Sequence, residues 1–151
     1  MSLIYTEAFA KLGAKLNNKK WSVSAFGSDG CLVVSLWQDW IKPGELKGTL
    51  VYRDTLSQWK GNDAGRNEFR SHLSTVNVSR APIRLVVAHP VSEADAALVG
   101  QVADESKIKK TFSVREDLVG SLEEFDGDAL CIVFRRAATL SRNTTQVIDF
   151  Q

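Results

Sequence analysis

The stretch IRLVVA, residues 83–88, is short and almost continuously apolar, and His89 and Pro90 close it. A run of this length without alternation is typical of a strand that is covered on both faces of a sheet. Two further runs have the same character, CLVVSLW at residues 31–37 and ALCIVF at residues 129–134. The sequence therefore predicts a sheet whose main strands are buried between layers.

The segments between these runs carry helical patterns. Apolar residues recur at helical spacing over residues 3–17 and again over residues 65–76. A third helix is expected over residues 92–102, because SEAD at its start resembles a capping box. A short helix is expected over residues 113–125, where a serine is followed three residues later by a glutamate. These patterns predict three to four helices.

A β-hairpin is the clearest local feature of the sequence. Residues 21–26 and 31–37 are strand-like runs that flank GSDG at residues 27–30. Glycine and aspartate readily adopt the positive φ angles that tight hairpin turns require. The two runs are therefore expected to pair as antiparallel neighbours.

Two more strands are expected outside the hairpin and the buried runs. Pro43 and Gly44 interrupt the chain before residues 48–53, which alternate as on a partly exposed strand. Near the C-terminus, residues 146–150 are expected to add an edge strand. Together with the runs above, these segments predict five or six strands.

The order of these elements favours an α+β fold. It shows neither a strict alternation of strand and helix nor an all-β meander. No internal repeat or linker is evident, so residues 1–151 are expected to form a single α+β domain. The expected architecture is a mixed sheet of five or six strands with three to four helices packed on it. A strongly curled sheet or a partly open barrel is the alternative.

Composition limits the classes of function. The chain has 151 residues, 44% of them hydrophobic, which suits one folded soluble domain. No apolar run approaches the roughly 20 residues of a spanning helix, and the N-terminal residues do not resemble a signal peptide, so we expect a cytoplasmic protein without a membrane partner. The net charge of +1 gives no overall attraction to nucleic acid, so such binding requires a local patch.

Cysteine and histidine usage gives no sign of a metal centre. Cys31 and Cys131 each lie in an apolar run and are expected to be buried, reduced thiols. The only histidines are His72 and His89, without the spacing of a zinc site. His72 is expected to be half-buried beside the apolar stripe of its helix, or paired with Glu68 four residues earlier.

The candidate site lies in YRDTLSQWKGNDAGRNEFRSHL, residues 52–73. Arg66 and Arg70 are one helical turn apart at the start of a predicted helix, a suitable place for a phosphate. Indole rings in loops can stack on flat ligands such as bases. The expected ligand-binding residues are Trp40, Trp59, Lys60, Asn62, Arg66 and Arg70.

A second basic group lies along the first predicted helix and its exit and ends beside Trp21. Such a stripe is a candidate track for a nucleic-acid backbone, but the pattern favours a solvated helix face. The other tryptophans, Trp21 and Trp37, are expected to serve packing, Trp21 at the end of the first helix and Trp37 in the core. The lysines of this group are Lys11, Lys15, Lys19 and Lys20.

Three functional hypotheses remain open. The favoured one is a binding domain for nucleic acid or a nucleotide-like ligand, which requires no cofactor and no metal. The second is a metal-dependent phosphodiester hydrolase that uses Asp54, Asp63 and Glu68 as oxygen ligands. The third is an interaction subunit whose partner is another protein or a second copy of the chain, joined through the edge strand at residues 146–150.

Overall fold

A computed structural model describes residues 3–137 of the chain, and within them the polypeptide forms an α+β structure. This range contains three α-helices: α1 Tyr5–Lys11, α2 Asp63–Ser79 and α3 Glu93–Leu98. It also contains seven strands: β1 Ser24–Phe26, β2 Leu32–Trp37, β3 Ile41–Pro43, β4 Leu50–Thr55, β5 Ile83–Pro90, β6 Lys110–Phe125 and β7 Ala129–Arg136. The edge strand expected at residues 146–150 lies outside the described residues.

All seven of these strands belong to one mixed sheet with the order β1-β2-β5-β6-β7-β4-β3. The strands β2 and β5 pair in parallel, whereas the other neighbouring pairs are antiparallel. The expected mixed sheet is therefore confirmed, with more strands than the five or six expected. In the described part of the chain β1 and β3 form opposite edges, so the sheet is not closed into a barrel.

The three apolar runs form β2, β5 and β7, as the sequence predicts. On β5, Leu85 and Val87 pack in the core cluster that contains the buried face of α2, and Val86 packs in the cluster under α1. The strand therefore has a helix over each face, which is why its sequence lacks alternation. The predicted hairpin is also present, because β1 and β2 pair with Phe26 opposite Leu32.

The strands that sequence reasoning missed are β3 and β6. Residues 113–125 are not a helix: they lie in β6, whose first half pairs with β5 and whose second half pairs with β7. Its buried residues Leu118, Gly120 and Leu122 follow the two-residue period of a strand. A Cβ atom at Gly120 would lie 2.7 Å from Phe134 Cε1, so this glycine makes room for the ring. Cross-strand packing thus overrides the local capping pattern.

The helices differ in length from their predicted ranges. Helix α1 ends at Lys11, and Gly13 follows it with a φ of +77° that turns the chain away. Helix α2 is confirmed and extends to Ser79, whereas α3 ends at Leu98. None of the helices within residues 3–137 has the length and apolar character needed to cross a membrane.

The buried face of α2 packs on one face of the sheet. The strands β2 and β4 are separated in the sheet by β5, β6 and β7. Leu36 of β2 and Tyr52 of β4 both belong to the core cluster that contains Phe69 and Leu73 of α2. This packing matters for function because residues at the end of β2 and in β4 line one cavity.

The two cysteines carry free thiols. Cys131 is buried, as expected, but Cys31 is only partly buried because it precedes β2 in the hairpin turn. Burial raises the pKa of both thiols, which keeps them protonated near neutral pH.

His72 lies half-buried under β1 and gives a pH-dependent contribution to stability. Its Nδ1 is 2.8 Å from Ser24 Oγ, and its ring packs against Phe26. Burial lowers the pKa of His72, although the negative charge of Glu68 opposes this shift. In the unfolded chain His72 is therefore protonated near its ordinary pKa of about 6.5, whereas in the folded protein it is protonated only at a lower pH.

We expect the wild-type protein to lose stability as the pH falls from about 7 to 5, and His72→Gln to lose less over the same interval. The measurement is urea denaturation at several pH values, with pH 8 as the reference where the imidazole is neutral in both states. An identical pH dependence in the two proteins would contradict the assignment to His72.

Candidate ligand-binding cavity

A cavity of about 850 Å³ lies between the end of β2, strand β4, the start of α2 and residues 100–106. Leu36 and Phe69 from the core line its apolar part, and Tyr52 and Asp54 of β4 line its polar part.

All four tryptophans of the chain line this cavity, although they come from separate segments. Trp21 precedes β1, Trp37 ends β2, Trp40 lies in a 3-10 turn before β3, and Trp59 precedes α2. The sequence predicts ligand contact only for Trp40 and Trp59, so the inclusion of Trp21 and Trp37 is a result of the fold. Aromatic rings on several sides of one space provide stacking surfaces for a flat ligand.

Trp21 is held in place by the start of α2. Asn62 donates from its side-chain amide to the carbonyl oxygen of Trp21 at 2.9 Å and accepts from the backbone N–H of Gly65 at 3.1 Å. A Cβ atom on Gly65 would lie 2.3 Å from the same carbonyl oxygen, so only glycine allows this approach. Asn62 is therefore the N-cap of α2 and also lines the cavity.

Asp54 organises the inner wall of the cavity. Its Oδ2 accepts hydrogen bonds from the hydroxyl of Tyr52 and, at 2.9 Å, from the indole N–H of Trp59. Its Oδ1 accepts from the backbone N–H of Thr55 at 2.7 Å. Burial, followed by the charge of Asp54, raises the pKa of Tyr52 well above its ordinary value, so the hydroxyl remains a donor. On its other side, the Trp59 ring stacks on Phe69 with centroids 6.0 Å apart.

Glu105 fixes the opposite wall. Its two carboxylate oxygens accept from the indole N–H of Trp37 at 3.3 Å and from the backbone N–H of Gly100 at 2.7 Å. Lys110 donates to the carbonyl oxygen of Glu105 at 2.8 Å and lies over the Trp37 ring, 5.3 Å from its centroid. Burial lowers the pKa of Lys110, and the nearby Glu105 charge opposes the shift. Residues 100–106 are thus anchored to the end of β2.

The charges around the cavity are unevenly distributed. Lys20 and Lys60 line it and are exposed, so their ammonium groups lie at its solvent side. Asp54 and Glu105 are only partly exposed and bond to buried or half-buried partners. Exposed Arg53, Asp104 and Glu124 also line the cavity, and Arg53 pairs with Glu124 at 3.5 Å. The solvent side therefore carries the two lysines together with the carboxylate of Asp104, and the carboxylate oxygens of Asp54 and Glu105 lie along the walls.

Four of the six predicted ligand-binding residues line the cavity: Trp40, Trp59, Lys60 and Asn62. Arg66 and Arg70 do not. The Arg66 guanidinium pairs with Asp63 at 2.7 Å, and Arg70 donates to the carbonyl oxygen of Gly127 at 2.8 Å and lies 3.6 Å from Asp128. Arg66 also donates to the backbone carbonyl oxygen of Trp59 at 3.4 Å. Arg66 therefore joins the first turn of α2 to the segment that carries Trp59, and Arg70 joins α2 to the turn between β6 and β7.

The three carboxylates of the hydrolase hypothesis are not brought together. Asp54 bonds to Tyr52 and Trp59, and Asp63 pairs with Arg66. Glu68 has one carboxylate oxygen buried without a hydrogen-bond partner. Within residues 3–137, no three His, Cys, Asp or Glu side chains lie close enough to hold a metal ion.

Sequence reasoning missed Lys20, Trp21, Trp37, Tyr52 and Glu105 as parts of one site. For Lys20 and Trp21 the sequence does contain a signal. Lys20-Trp21 repeats the pairing of adjacent lysine and tryptophan found in Trp59-Lys60, and both pairs line the cavity. No comparable pattern marks Glu105, because its role depends on how residues 100–106 pack against β2.

Comparison with known proteins gives no family for the chain. No family model matches it, and neither a curated protein nor a solved structure shows significant similarity. The functional argument therefore rests on the geometry of the cavity.

Proposed function

We propose that this protein binds a nucleotide-like ligand, with the base in the tryptophan-lined cavity and the phosphate at Lys20 and Lys60. The observation that carries the proposal is the convergence of all four tryptophans and two exposed lysines, from distant parts of the sequence, on one cavity. This arrangement supports the stacking part of the sequence hypothesis, and the proposal assigns the phosphate to the two lysines and not to Arg66 and Arg70.

The size and lining of the cavity support a small ligand. Ligand sites in proteins usually occupy about 300–1,000 Å³ and are mostly apolar, with a few convergent polar groups. The cavity, at about 850 Å³, is within this range. Stacking of a base on an aromatic side chain contributes about 1–3 kcal/mol, so two or three indole faces provide much of the binding energy.

The charge distribution supports one orientation of such a ligand. A phosphate is stabilised by Lys20 and Lys60 at the solvent side, where it keeps most of its hydration. The same group would be repelled by Asp54 and Glu105 if it entered the interior. An uncharged, flat base suits the interior instead, because aromatic faces and hydrogen-bond acceptors surround it.

A mononucleotide-sized ligand fits these features better than a long nucleic acid. A polynucleotide requires a basic track along its backbone, and the chain has a net charge of only +1. Arg66 and Arg70, which would have extended such a track, pair with carboxylates. The expected cytoplasmic location is consistent with a nucleotide ligand.

The test is a titration of tryptophan fluorescence with the monophosphates of the common nucleosides and with the matching nucleosides. We expect nucleotides to bind the wild-type protein and Lys20→Ala/Lys60→Ala to weaken this binding on the order of tenfold, because each exposed ion pair contributes up to about 1 kcal/mol. Nucleoside binding is expected to change little. The effect on nucleotides should diminish at high salt, which screens exposed charges.

The matched control is Lys11→Ala/Lys15→Ala, which removes the same charge from exposed positions on and just after α1, away from the cavity. Equal losses in the two double variants would indicate a general charge effect and not a phosphate site. Absence of binding by any nucleotide or nucleoside would contradict the proposed function. Tight binding of oligonucleotides alone would instead favour a nucleic-acid ligand.

A further inference from the structure

The tyrosine, indole and asparagine donors named above as lining the cavity are already engaged. The hydroxyl of Tyr52 and the indole N–H of Trp59 donate to Asp54, and the indole N–H of Trp37 donates to Glu105. Asn62 uses its amide on Trp21 and Gly65. Asp54 and Glu105, in contrast, can accept further hydrogen bonds, because a carboxylate has about four acceptor positions. The other two carboxylates that line the cavity are exposed, and there Glu124 pairs with Arg53 and Asp104 accepts from the backbone N–H of Ser106.

Glu105 has the larger unused capacity. Asp54 accepts three hydrogen bonds, two of them on Oδ2. Glu105 accepts one on each of its two oxygens, so that each oxygen can accept another. These existing bonds also fix the orientation of the carboxylate, and a fixed acceptor discriminates between ligands better than a mobile one.

We propose that Glu105 recognises the base of the bound nucleotide through two adjacent N–H donors, so that the cavity prefers a guanine-type base. This inference rests on the proposed function. A carboxylate presents two oxygens side by side, and it is matched by a ligand edge that presents two donors side by side. Guanine has such an edge in its ring N1–H and its 2-amino group.

The other common bases fit this carboxylate less well. Adenine and cytosine place an acceptor nitrogen beside the amino group, and uracil places its ring N–H between two carbonyl oxygens. In each case an acceptor atom of the base, a ring nitrogen or a carbonyl oxygen, faces a carboxylate oxygen, and the lone pairs of the two acceptors repel each other. Hypoxanthine keeps the ring N–H but lacks the amino group, so it measures the contribution of the second hydrogen bond.

The experiment is a fluorescence titration of the wild-type protein with GMP, IMP, AMP and UMP. We expect GMP to bind most tightly, IMP about tenfold more weakly, and AMP and UMP more weakly than IMP, because a site that accepts hydrogen bonds rejects analogues that cannot donate them. In Glu105→Gln one acceptor becomes a donor, and GMP is expected to lose about tenfold or more in affinity together with its advantage over IMP.

The control is Glu93→Gln, which makes the same change at an exposed position of α3 outside the cavity. Preference for AMP or UMP, or equal affinity for all four nucleotides, would overturn the inference while leaving the proposed function intact. No binding of any nucleotide would remove both. If thermal denaturation shows that Glu105→Gln does not fold, the order of affinities of the wild-type protein for the four nucleotides still decides whether the cavity prefers guanine.

Discussion

Replacing Asp54 with alanine is expected to lower the free energy of unfolding by about 2–4 kcal/mol, because it leaves two donors in the cavity wall without an acceptor. These donors are the hydroxyl of Tyr52, which is only 4% exposed, and the indole N–H of Trp59. The backbone N–H of Thr55 loses its partner as well. Urea denaturation at neutral pH measures the change.

A double-mutant cycle with Tyr52→Phe separates this loss into its parts. Phenylalanine removes the hydroxyl and keeps the ring, so Tyr52→Phe alone is expected to cost about 1 kcal/mol. In the Tyr52→Phe/Asp54→Ala protein the orphaned hydroxyl is absent, and the combined loss should be smaller than the sum of the single losses. Additive losses would mean that the hydrogen bond between these residues does not stabilise the fold.

The Asp54→Ala variant also tests the hydrolase hypothesis. If Asp54 were a metal ligand, alanine would abolish metal-dependent cleavage and change stability little. In the structure the carboxylate is instead engaged by three donors of its own chain. A loss of stability in Asp54→Ala without metal is therefore the expected result.

Replacing Gly65 with alanine is expected to destabilise the protein by about 1–3 kcal/mol, the usual cost of overpacking a filled site. Helix propensity alone predicts the opposite sign, since alanine in a helix is favoured over glycine by about 1 kcal/mol. The reason for the reversal is steric, because the added Cβ would lie 2.3 Å from the Trp21 carbonyl oxygen and from Asn62 Nδ2. Relief of this clash would move Trp21, so ligand binding should weaken too.

The matched control is Ala64→Gly, at the exposed neighbouring position in the same helical turn. This substitution is expected to lower the free energy of unfolding by about 1 kcal/mol. The value measures the effect of helix propensity without a change in tertiary contacts. Thermal and urea denaturation of both variants supply the comparison. A stabilised Gly65→Ala protein would show that the start of α2 and Trp21 can separate without cost.

Much of the fold follows from local sequence where pattern and environment agree. Residues 31–37, 83–88 and 129–134 are strands because an apolar run of that length has to be buried on both faces. The expectation is wrong at residues 113–125, where a serine and a glutamate at capping distance resemble a helix start. There β5 and β7 supply hydrogen-bond partners along the strand, and these pairings outweigh the local signal.

Some of the residues that line the cavity were also predictable from the sequence, because of their chemical character and not because of a periodic pattern. Trp40, Trp59 and Lys60 were identified because aromatic and basic residues in loops favour ligand contact, and all three line the cavity. Arg66 and Arg70 have the same chemical character but take partners in the fold that sequence spacing does not reveal, among them Asp128, which is distant in the chain. A sequence shows which residues are charged, but it does not show which residues they pair with in the folded protein.

By itself, the sequence determined the class of fold, the buried strands and the hairpin, since each depends on residue type and short-range spacing. The tertiary structure alone decided which tryptophans share a space, which cations remain at its mouth, and that Asp54 and Glu105 form its walls. The physical reason is the order of the strands and the packing of other segments beside them. Residues of β2, β4, the start of α2 and residues 100–106 line one cavity although three strands separate β2 from β4 in the sheet, and no local pattern encodes that arrangement.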